Sequence, residues 1–95
     1  RVFNTRGACL AAVALSQDLM PGVVQLPTGA WFDPEEGDAA QPLERHGNPN
    51  VLTGDRGTSR LAQGPSAQSC LVQVERFDGP LPPVRAFDPP RFVSR

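Results

Sequence analysis

Residues 1–26, RVFNTRGACLAAVALSQDLMPGVVQL, decide the fold class. Arg1 to Asn4 reads as the end of a strand, and Thr5-Arg6-Gly7 as a turn in which Gly7 supplies permissive backbone. Ala8 to Ser16 is an apolar run of strand length. Met20-Pro21-Gly22 sets Pro and Gly at the two central positions that a tight turn favours. Val23 to Leu26 is a second, β-branched strand. The pattern is one of hairpins and turns, without helical periodicity.

Outward from this segment the same character holds. Cys70 to Phe77 is the clearest strand, with Leu71, Val72 and Val74 apolar and Gln73, Glu75 and Arg76 turned outward. Val51-Leu52 reads as a short buried segment, and Thr58 to Gln63 as one or two helical turns ended by Gly64-Pro65. Pro27 to Glu44 is a long loop that holds half of the ten acidic residues, Asp33, Glu35, Glu36, Asp38 and Glu44. Within it, Trp31 either plugs one end of the fold or lines a pocket. The expected architecture is all-β, a barrel or sandwich. Residues 1–79 would form it, and residues 80–95, rich in Pro, would run as an extended strap. The opening in mid-strand suggests a chain cut from a longer polypeptide, with a partner strand missing and an open edge that invites self-association.

Composition narrows the function. The 95 residues suit one small domain, and 39% hydrophobic content suffices for a core. A net charge of −1 gives no footprint for nucleic acid or an anionic membrane, and no apolar run reaches spanning length. All nine basic residues are Arg, which excludes a Walker A lysine. The lone histidine, His46, has no G-x-S-x-G elbow to serve and no Cys near it to share a metal. It reads as a loop-ordering partner or a contact beside a ligand. The acidic loop lacks the residue order of an EF-hand. Cys9 and Cys70 each lie in an apolar run, so buried thiols are the leading reading, with a disulfide between adjacent strands as the alternative.

The least generic chemistry lies between His46 and Gln68, HGNPNVLTGDRGTSRLAQGPSAQ. Asn48, Asn50, Gln63 and Gln68, with Gln41 upstream, bring carboxamides that both donate and accept, as the edges of pterin and guanine require. Pro49 holds Asn48 extended and stiffens the approach to Asn50. An Asx turn in which the asparagines cap their own backbone is the competing reading. Arg56 and Arg60 either contact a phosphate or pair with the acidic loop.

These residues also carry a resemblance. GNPNVLT at 47–53 and DRGTSRLAQGPSAQSCLV at 55–72, preceded by RVFN at 1–4 and PGVVQLPTGAWFDP at 21–34, resemble the C-terminal domain of the dimethyl sulfoxide reductase family of molybdenum enzymes. The subgroup it resembles is that of the biotin sulfoxide, dimethyl sulfoxide and trimethylamine N-oxide reductases, over Arg1 to about Phe77. The resemblance implies a double-psi β-barrel, here lacking its first strand, that closes over a molybdenum bis(molybdopterin guanine dinucleotide) cofactor held jointly with other domains of the parent enzyme. It implies cofactor contacts at Asn50 and at Ala67-Gln68, where relatives often carry Gly in place of Ala67. His46, Asn48 and Thr53 adjoin that site by sequence. The metal's protein ligand lies elsewhere in such enzymes, so oxygen-atom transfer by this chain alone is not expected. A cofactor-free β-barrel that acts as an adaptor is the alternative. The subgroup has both cytoplasmic and exported members, which leaves the compartment open.

Overall fold

A computed structural model of the chain describes residues 1–36, 40–64, 69–83, 85, 88–89 and 92–93. Its centre is a mixed sheet of four short strands: β1 (Val2–Phe3), β2 (Ala8–Cys9), β3 (Leu43–Glu44) and β4 (Gln73–Val74), in spatial order β3-β2-β1-β4. The chain is therefore all-β, as its turn-rich pattern implies, and among the described residues the sheet is open.

The turn at 4–7 starts the sheet. Asn4 Oδ1 accepts from the main-chain N–H groups of Arg6 (2.8 Å) and Gly7 (3.3 Å), and the Asn4 N–H donates to Gly7 O at 3.0 Å. This Asx-type closure folds β2 back on β1, in antiparallel register Val2↔Cys9 and Phe3↔Ala8. On the other side of β1, β4 pairs antiparallel with Val2↔Val74 and Phe3↔Gln73. Strand β3 is parallel to β2, with Ala8↔Leu43 and Cys9↔Glu44. The many residues between β2 and β3 are the long crossover that a parallel pair requires.

The loop expected over Pro27 to Glu44 is in part a ladder. Glu35 N–H donates to Leu43 O (2.8 Å) and Arg45 N–H to Asp33 O (3.1 Å), which lays Asp33–Glu35 antiparallel along the outer side of β3. The core is small: Ala8, Cys9, Leu10 and Leu52 are its buried apolar residues, with Gly7, Gly47, Asn48 and Glu44 buried among them.

Other elements are shorter than expected. Of Ala8 to Ser16 only Ala8–Cys9 is strand, and Val23 to Leu26 makes no ladder, although its turn is present. Val23 N–H donates to Met20 O at 3.1 Å, with Gly22 at φ 79° where a type II turn needs it. Residues 58–63 are not helical. Ser59 Oγ accepts from Ala62 N–H (2.8 Å) and Leu61 N–H (3.3 Å), and Thr58 N–H donates to Gly64 O at 2.8 Å. Hydroxyls that bond nearby main chain compete with the helix, and here they win. Cys70 to Phe77 shrinks to Gln73–Val74, an edge strand with β1 on one side only among the described residues, and Leu71 before it is 94% exposed. Trp31, 78% exposed, plugs nothing among the described residues. Both cysteines are free thiols; Cys9 is buried as expected and Cys70 is exposed. Among the described residues no helix is long and apolar enough to cross a membrane.

Candidate functional site

Beyond β3 the chain enters the amide-rich loop, and its geometry is set from below by Glu44. This side chain is 0% exposed. Its Oε1 accepts from the main-chain N–H groups of His46 (3.0 Å) and Asp33 (3.3 Å), and its Oε2 from that of Asn48 (2.7 Å). A buried carboxylate is costly unless its lone pairs are met, and three backbone donors meet them here. The sequence reading placed Glu44 among solvated loop acids; its strand partner Cys9 and the crossover place it inside.

Gly47 follows at φ 78°, a backbone conformation that turns the chain sharply and that L side chains rarely adopt. Pro49–Val51 then forms a single 3₁₀ turn capped by Asn48, whose Oδ1 accepts from Asn50 N–H at 3.0 Å. Asn48 Nδ2 donates to Ala30 O at 3.0 Å, which ties the turn to the segment before Trp31. The turn closes with Leu52 N–H on Pro49 O (3.0 Å), and Asn4 Nδ2 fixes its end by donating to Leu52 O (2.9 Å). Gly7 lies against it so closely that a Cβ there would stand 2.7 Å from Val51 O.

The candidate residues thus divide. Asn48 is buried and caps its own backbone, the competing Asx reading, and its Nδ2 is spent on Ala30. His46 turns away from the loop's outer side: its Nε2 lies 3.0 Å from Asp33 Oδ2, yet off the line that a ring N–H needs for a hydrogen bond. Arg45 completes that cluster, donating to Asp33 Oδ1 at 2.8 Å and Pro34 O at 3.1 Å. The acidic loop pairs with Arg45, whereas pairing with Arg56 or Arg60 was one of two readings of those residues. Asn50 is exposed on the rigid turn, and its side-chain amide makes no hydrogen bond among the described residues. Thr53 is half-buried and lines a small cavity of about 100 Å³ with Pro49, Leu52 and Cys70. Ala67 and Gln68 lie outside the described residues. Among the described residues no cluster of three His, Cys, Asp or Glu could hold a metal ion.

Two residues escaped the sequence reading: Glu44, and Asn4, whose amide joins the 4–7 turn to Leu52 and to Leu71 O (3.3 Å). For Asn4 a signal existed, since Asn three residues before Gly is a turn former. For Glu44 there was none, because burial is set by residues far away in sequence.

A family described as "Molydopterin dinucleotide binding domain" matches residues 1–71. The chain is 49% identical over 90 residues to a trimethylamine-N-oxide reductase of Salmonella typhi, covering 95% of the chain and 11% of that protein. It is 51% identical over 79 residues to a biotin sulfoxide reductase of Cereibacter sphaeroides, covering 83% of the chain and 10% of that protein. A trimethylamine-N-oxide reductase of Haemophilus influenzae is 44% identical over 95 residues, 99% of the chain and 12% of that protein. The chain spans about a tenth of the length of these relatives. A match over three-quarters of the residues, through strands β1 to β3, the buried Glu44 and the capped turn, makes this chain a member of the molydopterin dinucleotide binding domain family.

Proposed function

We propose that this chain holds one pterin guanine dinucleotide of a molybdenum bis(molybdopterin guanine dinucleotide) cofactor in an S-oxide or N-oxide reductase. The remaining domains of that reductase would be its partners, and closure into a double-psi barrel belongs to the same proposal. The single observation that carries the reading is Asn50: an exposed carboxamide that has no side-chain hydrogen bond among the described residues, on a turn held by hydrogen bonds to Asn48 and Leu52. An amide with both donors and its acceptor available suits the mixed edge of a pterin or guanine. Ala67 and Gln68 supply the second contact, Ala67 through backbone. Thr53, next to the turn, has a hydroxyl for the same ligand, while His46 and Asn48 act from beneath by shaping the loop.

When bound, the cofactor supplies the oxygen-atom transfer chemistry at molybdenum, and the protein's task is to bind and orient it. Asn50 and Gln68 would hold the heterocycle's edge. The 3₁₀ turn keeps Asn50 in place before the ligand arrives, so little ordering cost falls on binding. Residues 80–95 would form the strap that ends the domain.

In the full-length reductase, Asn50→Ala should lower the bound dinucleotide, measured as GMP released by acid, by roughly tenfold at limiting cofactor, since one hydrogen-bonding partner is lost. The melting temperature of the cofactor-free enzyme should be unchanged, because among the described residues the Asn50 side chain supports nothing inside the domain. Full dinucleotide content in Asn50→Ala would count against the reading, and full content in Gln68→Ala as well would leave this domain without a contact to the cofactor.

A further inference from the structure

Resting on that reading, we infer that Glu44 is a positioning residue for the dinucleotide: its buried carboxylate sets Asn50 without touching the ligand. The path is continuous and short. Glu44 Oε2 accepts from Asn48 N–H at 2.7 Å, Asn48 Oδ1 accepts from Asn50 N–H at 3.0 Å, and Asn50 carries an amide that is unbonded among the described residues. Through Oε1 the same carboxylate takes the N–H groups of His46 and Asp33, so it joins the loop's entry to the strand-like segment at 33–35. That segment is tied to the turn a second time, by Asn48 Nδ2 on Ala30 O three residues earlier.

Two features argue that the carboxylate does more than fill space. A charged group at 0% exposure carries a desolvation cost that an apolar side chain at the same place would avoid. Moreover, Gly47 at φ 78° holds the main chain so that the N–H groups of residues 46 and 48 both point inward at one side chain. Only an acceptor with two oxygens can take three such donors at once. The neighbouring Cys9 offers no competing donor of comparable strength, since a thiol is a weak one. Side chains that orient a ligand-binding group from behind commonly govern affinity as strongly as the contact itself.

Glu44→Gln tests this because Gln has the same shape. One of its oxygens becomes an NH₂, so at least one of the three main-chain N–H groups faces a donor, while the packing and the sheet are preserved. The neutral amide also relieves the desolvation cost, which offsets part of the loss to global stability. The measurements, made on the full-length reductase, are hydrogen exchange of residues 46–52 in the cofactor-free enzyme, the rate at which dinucleotide is shed, and the melting temperature of the cofactor-free enzyme. Expected is exchange faster by roughly tenfold at 46–52, a similarly faster loss of dinucleotide, and little movement of the melting temperature. Unaltered exchange at 46–52 would overturn the inference, as would a global drop in melting temperature that accounts for the loss. If Glu44→Gln retains dinucleotide while Asn50→Ala sheds it, positioning by Glu44 is wrong and the cofactor-domain reading stands. If Asn50→Ala also retains it, the reading itself fails and takes this inference with it.

Discussion

At the scale of single residues, the buried pair Cys9 and Glu44 sets the character of the core. They are register partners on β2 and β3, both at 0% exposure. Burial, and then the nearby Glu44 carboxylate, push the Cys9 thiol up to about 11 from its ordinary 9.0. Since the thiolate is the nucleophile, native Cys9 should resist iodoacetamide at pH 8, and peptide mapping should find it labelled only in denaturant. Labelling at the rate of the unfolded chain would sink this. The sign of the pH dependence follows from the raised value. Below pH 9 the thiol is protonated in both states and stability is intact. As pH rises from 9 towards 11 the unfolded chain loses the proton first, so stability falls across that window. Sequence marked Cys9 as buried by its apolar neighbours, but gave Cys70 the same reading, and Cys70 is exposed at the sheet's edge.

At the scale of elements, a tight main-chain constraint lies where the start of β2 meets the 3₁₀ turn. Gly7 appeared in sequence as a turn residue valued for its conformational freedom, yet it is needed for want of a Cβ: Val51 O occupies the space at 2.7 Å. Gly7→Ala must push a main-chain carbonyl aside and should cost about 1–3 kcal/mol, the range for overpacking a tight contact. Gly54→Ala meets nothing within 4 Å and has no positive φ, so it should be neutral or slightly stabilising. Thermal denaturation of the two variants measures the difference; equal melting temperatures would show that the turn yields easily. The type II turn at 20–23 was legible because Pro21 and Gly22 dictate it locally. The Val23 to Leu26 strand was not, since strand pairing requires a neighbour that local sequence does not specify.

At the scale of the whole molecule, the small buried core contrasts with the apolar surface left outside it. Val13, Leu15, Met20, Val23 and Val24 are all exposed, and all five line a cavity of about 820 Å³ together with Val2 and Val74. Exposed apolar patches of this kind mark surfaces that pair with other protein. Strand β4 adds an unpaired edge beside them. The isolated 95-residue chain should therefore self-associate, with a weight-average mass in sedimentation equilibrium that rises with concentration. A monomer at high concentration would overturn this expectation.

The sequence by itself determined what is local: the all-β class, the turns at 4–7 and 20–23, the extended approach of Asn48 to Pro49, and the family motif around Asn50. Pro, Gly and Asn act through their own backbone geometry, so their effects are readable in place. Tertiary structure alone decided that β3 runs parallel to β2, that Glu44 is buried beneath the loop, and that His46 faces Asp33. Each of these depends on residues that the crossover brings together from distant parts of the chain, and burial, unlike a turn, is a property of the company a side chain keeps.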